Sequence, residues 1–512
     1  MEKINIRKTS LSLVALLLIT VSILPAFAGC AQNSTQTATT SEALVSTSEP
    51  DNTEPVETSD PNFTCDLKNE DYGGEVISIY ATGHNGTKDE FYTTEIEGNI
   101  VNDAVFKRNA QVEKDLNVKF KITLSDSTSE SYVPEQISVL VKAGETAYDI
   151  CTMGGWIQTP YVVEGDFYNL KELDNVNLEK HYLAQGYNEG MGLPTQQYTA
   201  TGMFSISLIR NLYVTIYNKD LFNSHNLPDL YELTVNGEWT IEKQLELIKD
   251  TYKDVNGNQK KDEEDFYGFV SGTLTSVDPY WTSFGIRFLN QDKEGLYHLT
   301  IDADKLINAV DLVQQLIVKS SDSLDITAVG ESDVSYNKTR ITMFAEEKCL
   351  MACVRLGEIE ETLTASEFSG DYGIVPFPKY DKEQESYHGY VQDQLSVISI
   401  VSNVGDDRID MVSHVYEKIC AESCDKVFPA YYDTAMSYRY MNNIESKKML
   451  DLIYNSIEMD SIYMYVSMFY WQNKMRDIVS SANSGAASIK KFESAYGIVC
   501  DVLNSKLENL RD

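Results

Sequence analysis

The chain has 512 residues, enough for two lobes with cores of their own at about 100–200 residues per domain. Its net charge of −36 excludes attachment to nucleic-acid phosphates or anionic lipid headgroups by charge, because so acidic a surface repels both. Eight cysteines are too few for a disulfide scaffold, and 32 tyrosines against 18 phenylalanines supply many amphipathic rings, either as a surface habit or for handling sugars.

Lys3, Arg7 and Lys8 precede an apolar run over 11–27, which ends at Ala28-Gly29-Cys30; this is a secretory signal, residues 1–29. Ala-Gly-Cys resembles the lipobox of bacterial lipoproteins, which implies lipidation of Cys30, although Phe27 stands where that motif usually has a smaller residue. An uncleaved anchor is the alternative. Removing 1–29 takes the net charge to −38, so membrane contact rests on the lipid alone. Residues 30–65 are rich in Ser, Thr, Glu and Pro, cannot bury enough apolar surface to order themselves, and read as a tether reaching roughly 30 Å.

From there the pattern alternates in period. Residues 76–80 read as a strand, 97–116 as a helix with Ile100, Val101, Ala104, Val105, Ala110 and Val112 on its apolar face, and 118–123 as a second strand. Such a βαβ unit calls for a parallel sheet covered on both faces. A third strand, 148–152, runs into Gly154-Gly155-Trp156, where two glycines allow close approach to the backbone and where open α/β sheets bind ligands. Trp156 is there a candidate platform, or an ordinary packing residue.

Residues 212–216 read as a central strand closed by Asn218-Lys219-Asp220, and Thr240 as the N-cap of a helix to about 250. Asp254, Asn256, Asn258, Lys260, Asp262 and Asp265 fall at positions 1, 3, 5, 7, 9 and 12 of an EF-hand-like loop, Lys260 through its carbonyl. That spacing predicts a structural Ca2+, against a solvated acidic turn; the glycine at position 4 and the short Asp265 depart from the pattern. Asp278-Pro279-Tyr280-Trp281 combines a planar acceptor with flat rings, as sugar binding requires, and equally makes a helix start. A helix over 306–318, a segment 337–344, strands at 372–378 and 395–401 and helices at 408–421 and 489–507 complete the order, with Tyr470-Trp471 before the last. Cys349/Cys353 and Cys420/Cys424, four apart and without histidine at metal-ligand spacing, read as buried thiols.

Several of these stretches, in this order, resemble the type II extracellular solute-binding proteins of ABC importers, the maltose-binding proteins and their carbohydrate-binding relatives. The matching residues are Tyr217 to Phe222 (YNKDLF), Leu227-Pro228, Trp239-Thr240 and YGIVPFP at 372–378. The resemblance implies an α/β, two-lobed periplasmic-binding-protein fold with hinge crossovers: lobe 1 from 66–209 plus 386–432, lobe 2 from 210–385 plus 433–512. It implies ligand contacts by Gly155, Trp156, Asn211, Asp278, Tyr280, Trp281, Tyr470 and Trp471. It further implies a lipid-anchored monomer on the outer face of the cell membrane that delivers a carbohydrate to ABC permease subunits, with no required cofactor and no catalysis. A non-sugar solute such as a polyamine or peptide, or a secreted glycoside hydrolase with paired carboxylates, are the alternatives.

Overall fold

The structure is a computed structural model that describes residues 67–510 except 85, 94, 330–332, 364–367, 437–443 and 482–484, so Cys30 and the segments 1–29 and 30–65 lie outside the described residues. Strand β1 (Glu75–Ala81) leads through the helix Ile100–Leu116 into β2 (Val118–Leu124), parallel to β1 with Ile77 opposite Phe120. On the other side of β1, β3 (Ile150–Gly154) is also parallel. Asparagines set both ends of the helix. The Asn99 side chain accepts from the Val101 and Asn102 amides, and Asn117 turns left-handed at φ 43°, which its short polar side chain tolerates.

The buried stripe of that helix is Ala104, Val105, Arg108, Val112 and Leu116, whereas the expected Ile100 and Ala110 are exposed. Steps of three and four residues define one face, and its central member is charged, so counting apolar residues misplaces it. Arg108 is satisfied there by donating to Asn109 Oδ1 at 3.0 and 2.8 Å and to Ser423 Oγ at 3.3 Å, on the helix Ile409–Phe428 packed alongside, and lies 5.2 Å from the Phe91 ring centre.

The second sheet is built from β4 (Tyr213–Asn218), β5 (Tyr267–Ser271), β8 (Ser323–Asp325), β9 (Cys349–Arg355) and β10 (Tyr372–Val375), in the order β10-β4-β9-β5-β8. A separate hairpin pairs β6 (Leu289–Gln291) with β7 (Tyr297–Leu299). Strand β4 is antiparallel to both neighbours, and β9, β5 and β8 are mutually parallel. Strand β4 is buried along its whole length, as a strand covered on both faces must be. Between β4 and β5, Thr240 caps its helix by accepting from the Lys243 amide, and the buried Trp239 indole donates to Pro376 O at 2.8 Å. Each fully buried Val, Leu, Ile or Phe of these cores contributes about 1.5–3 kcal/mol.

Strand β11 (Ser396–Ile400) returns to the first sheet antiparallel to β3, giving β11-β3-β1-β2. The outward and return connections pair with each other: Tyr213 N–H donates to Tyr390 O at 3.0 Å and Gln392 N–H to Asn211 O at 2.9 Å. Later the helix Ile444–Asn455 lies on β10, and Trp471–Ser480 and Ala486–Glu508 pack on Ala303–Gln314. All six described cysteines are buried free thiols. Cys349 and Cys353 share a face of a strand, not a helix, because a four-residue step returns to the same side in both periods.

Candidate functional site

The parallel strands of both sheets end toward the paired connections. There a cavity of about 220 Å³ opens, lined by His84 and Gly86 beyond β1, by Ser207, Arg210 and Asn211 of the outward connection, by Arg355, Gly357, Glu358 and Glu361 beyond β9, and by Gln394 of the return. No Phe, Tyr or Trp is among these lining groups. A wall of polar side chains from both sheets and from the connections can hold a polar solute by hydrogen bonds, and motion about the connections would open it.

The Arg355 guanidinium is fixed on three sides, donating to Glu358 Oε1 at 2.9 Å, to Gln392 at 2.8 Å and to Asn211 at 3.4 Å. Burial opposes its charge, and the Glu358 carboxylate more than restores it, so Arg355 is held above its ordinary value. Glu358 also takes two bonds of 3.2 Å from the fully buried Arg340. Arg210 pairs with Glu360 at 3.5 Å and with the exposed Glu361. Beneath it Glu90, buried and pushed up to about 7 by desolvation, accepts from the Ser207 amide.

Trp156, half-buried, follows β3 and donates from its indole to Glu130 Oε2 at 2.6 Å. Gly155 donates to Leu395 O at 2.9 Å, and a Cβ there would stand 3.1 Å from Asp393 O. The groups that approach the paired glycines thus come from the protein itself. Asp393 joins both halves: its main-chain carbonyl accepts from Trp156 N–H at 3.0 Å, and its carboxylate from Gln472 Nε2 at 3.0 Å. Burial pushes the Asp393 carboxyl up to about 6, against the Gln472 bond and with the help of nearby Asp278.

The other expected contacts lie elsewhere. Asp278 is buried and bound by Arg476 on both oxygens, with Nε donating at 3.0 Å, so its carboxylate faces the protein and not solvent. Tyr280, Trp281 and Trp471 have no accessible surface: Tyr280 packs on Phe377, and Trp471 sits between Phe288 and Tyr463 with ring centres 4.7 Å away. A ring with no exposed face offers no stacking platform in this conformation. Tyr470 is exposed, at φ 49°, on the helix-to-helix turn. Of the expected set, the structure brings together Gly155, Trp156 and Asn211 near the cavity. Sequence reasoning missed His84, Arg210, Arg355 and Glu358; the available signal was the place of His84 just past a predicted strand and of Arg210 at the crossover, whereas Arg355 and Glu358 follow β9, a strand the sequence pattern did not reveal.

In the loop after Thr251, Asn256 and Asn258 amides donate to Asp262 (3.1 and 2.6 Å), Asp254 accepts from the Gly257 and Gln259 amides, and buried Asp265 accepts from Val255 N–H and Tyr252 OH. Gln259 stands at position 6 with φ 58°, the left-handed turn that glycine makes in calcium loops. Among the described residues no three His, Cys, Asp or Glu side chains converge as a metal site; the Asn256 and Asn258 amide oxygens accept from the Asn258 and Lys260 N–H groups, and their NH2 groups face Asp262.

No family model and no curated protein matches the sequence. Solved structures do match the fold. The sugar-binding protein MalE from Xanthomonas citri is similar with a TM-score of 0.56 at 10% identity, covering 85% of this chain and 99% of that one. An ABC substrate-binding protein from Listeria monocytogenes in complex with cycloalternan gives 0.52 at 12%, covering 85% and 99%. A solute-binding protein from Agrobacterium radiobacter in complex with ribitol gives 0.51 at 12%, covering 84% and 99%. The fold is the two-lobed periplasmic-binding-protein fold of type II, and these structural neighbours are solute-binding proteins. No helix among the described residues is long and apolar enough to cross a membrane.

Proposed function

We propose that this protein captures a carbohydrate between its lobes and delivers it to the permease subunits of an ABC importer, held at the outer face of the membrane as a monomer by a lipid on Cys30. The observation that carries this is the polar cavity where the parallel strands of two sheets end beside paired connections. In this reading the lobes are 66–209 with 386–432 and 210–385 with 433–512. Ligand enters the open cleft, and closure is favoured by its differential affinity for the closed state. Asn211 contributes from the expected set, with His84, Arg210, Arg355 and Glu361, and Gly155 and Trp156 stand beside the return connection that supplies Gln394. The protein performs no catalysis.

The lining carries both signs of charge, Arg210 and Arg355 beside Glu358 and Glu361, which suits as a second reading a charged non-sugar solute such as a peptide or a polyamine. Ca2+ is proposed at Asp254, Asn256, Asn258, Lys260, Asp262 and Asp265 as a structural ion, which would tie the loop together by hard oxygen donors.

Thermal unfolding of the purified protein against saccharides, polyamines and peptides tests the proposal. A ligand at a thousand times its Kd adds about 4 kcal/mol. A rise with one saccharide that is not consumed supports it. A rise with polyamine alone moves the ligand to the second reading, and consumption of a glycan replaces binding by hydrolysis.

A further inference from the structure

We infer that the solute of the cavity between the sheets is an acidic saccharide, whose carboxylate is received by the free guanidinium ends of Arg210 and Arg355. The inference rests on the carbohydrate reading above and narrows it to one chemical class. Both arginines line the cavity, and their side chains are 28% and 18% exposed. Each is anchored from behind. Arg210 sets Nη2 on Glu361 and turns Nε toward Glu360 at 3.5 Å, while Arg355 sets Nε on Glu358 and Nη1 on Gln392 and Asn211. That leaves Arg210 Nη1 and Arg355 Nη2 with no hydrogen bond among the described residues, and neither nitrogen is buried.

Two neighbours add donors of the same kind. Gln394 Oε1 accepts from Gln392 at 3.3 Å, and its Nε2 has no partner among the described residues and is not buried. His84 Nδ1 accepts from the Gly86 amide at 3.3 Å, so the neutral ring carries its proton on Nε2. These four lining residues thus leave open one accessible nitrogen each, all able to donate and two of them cationic. The carboxylates offer little in return. Both oxygens of Glu358 are taken by Arg340 and Arg355, and Glu361, with one oxygen on Arg210, is 67% exposed, so water solvates the other.

A sugar hydroxyl donates as well as accepts, whereas a carboxylate only accepts, through two oxygens in the plane that a guanidinium presents. Guanidiniums already held in place lose little freedom when they receive it. The net charge of −36 repels an anion from afar, but at about 0.1 M salt exposed charges beyond about 10 Å are screened, and the groups in contact decide. At about 220 Å³ the cavity is smaller than the roughly 300–1,000 Å³ of drug-sized ligand sites, so it takes one acidic sugar unit and not a long chain.

Titration calorimetry of the purified protein with galacturonate, glucuronate and digalacturonate, against galactose, glucose and glucose 6-phosphate, tests the inference. We expect a uronate to bind roughly 10-fold or more tightly than its neutral counterpart and than the phosphorylated sugar. Arg210→Gln should weaken the uronate roughly 10- to 150-fold, the range of a hydrogen bond to a charged group. Gln394→Glu turns a carboxylate toward that of the solute while disturbing only the bond from Gln392, and should also weaken it; this variant decides if R210Q lowers the ligand-free Tm. Neutral sugar or glucose 6-phosphate bound as tightly as the uronate overturns the inference and leaves the carbohydrate reading standing. Undiminished uronate affinity in either folded variant does the same. Failure of every saccharide to bind overturns both.

Discussion

Asp393→Asn should stabilise the protein at neutral pH and leave it unchanged in acid. Burial raises the Asp393 carboxyl from 3.8 to about 6 in the folded chain. A raised folded-state value means the folded state holds its proton more tightly than the unfolded one. The associated stability is complete below about pH 4 and is lost as pH rises through about 6. Two pKa steps at about 1.36 kcal/mol each make the cost about 3 kcal/mol at neutral pH. Asparagine carries no such charge and keeps an oxygen for Gln472 Nε2. With about 2.1 cal/mol/K of unfolding entropy per residue, a globular part of this size has about 0.9 kcal/mol/K, so the gain is about 3 °C in Tm. Calorimetric scans of both proteins from about pH 4 to pH 8 measure it. The two Tm curves should meet in acid and separate above about pH 6, and Glu90 should impose a similar fall on both. Parallel curves, or a variant less stable at neutral pH, would refute the reasoning.

Arg476→Leu strands the buried Asp278 carboxylate and should cost about 3–5 kcal/mol, read as a lower denaturation midpoint; a cost under 1 kcal/mol would mean that Asp278 finds other partners. Trp471→Ala removes a ring packed between Phe288 and Tyr463 and should lose about 3–5 kcal/mol of ligand-free stability, whereas Trp471→Phe should keep solute affinity; a loss of affinity in the Phe variant would return that ring to the cleft. Calcium should raise the Tm of wild type and not of Asp254→Ala, and calorimetry that detects neither heat nor shift would leave the loop as a solvated acidic turn.

What the sequence determined by itself are the features set by near neighbours in the chain. The alternation in β2, the β-branched and aromatic runs of β1 and β4, the Thr240 cap and the βαβ order follow from local steric and hydrogen-bonding rules. The two-sheet fold was legible because strand, helix and crossover signals came in an order that few architectures satisfy.

The site was only partly legible, because which face of an aromatic residue meets solvent depends on what packs against it from distant parts of the chain. Trp281 and Trp471 carry the composition of sugar platforms, yet helices more than a hundred residues apart in sequence close over them. Asp278 reads as an open acceptor until Arg476 arrives from 198 residues away. Conversely Trp156, which the sequence left as a platform or a packing residue, is placed only when folding sets its indole on Glu130 Oε2 at 2.6 Å. Burial and unmet hydrogen bonds are properties of the assembled chain, and they decided which polar and aromatic groups face the cleft.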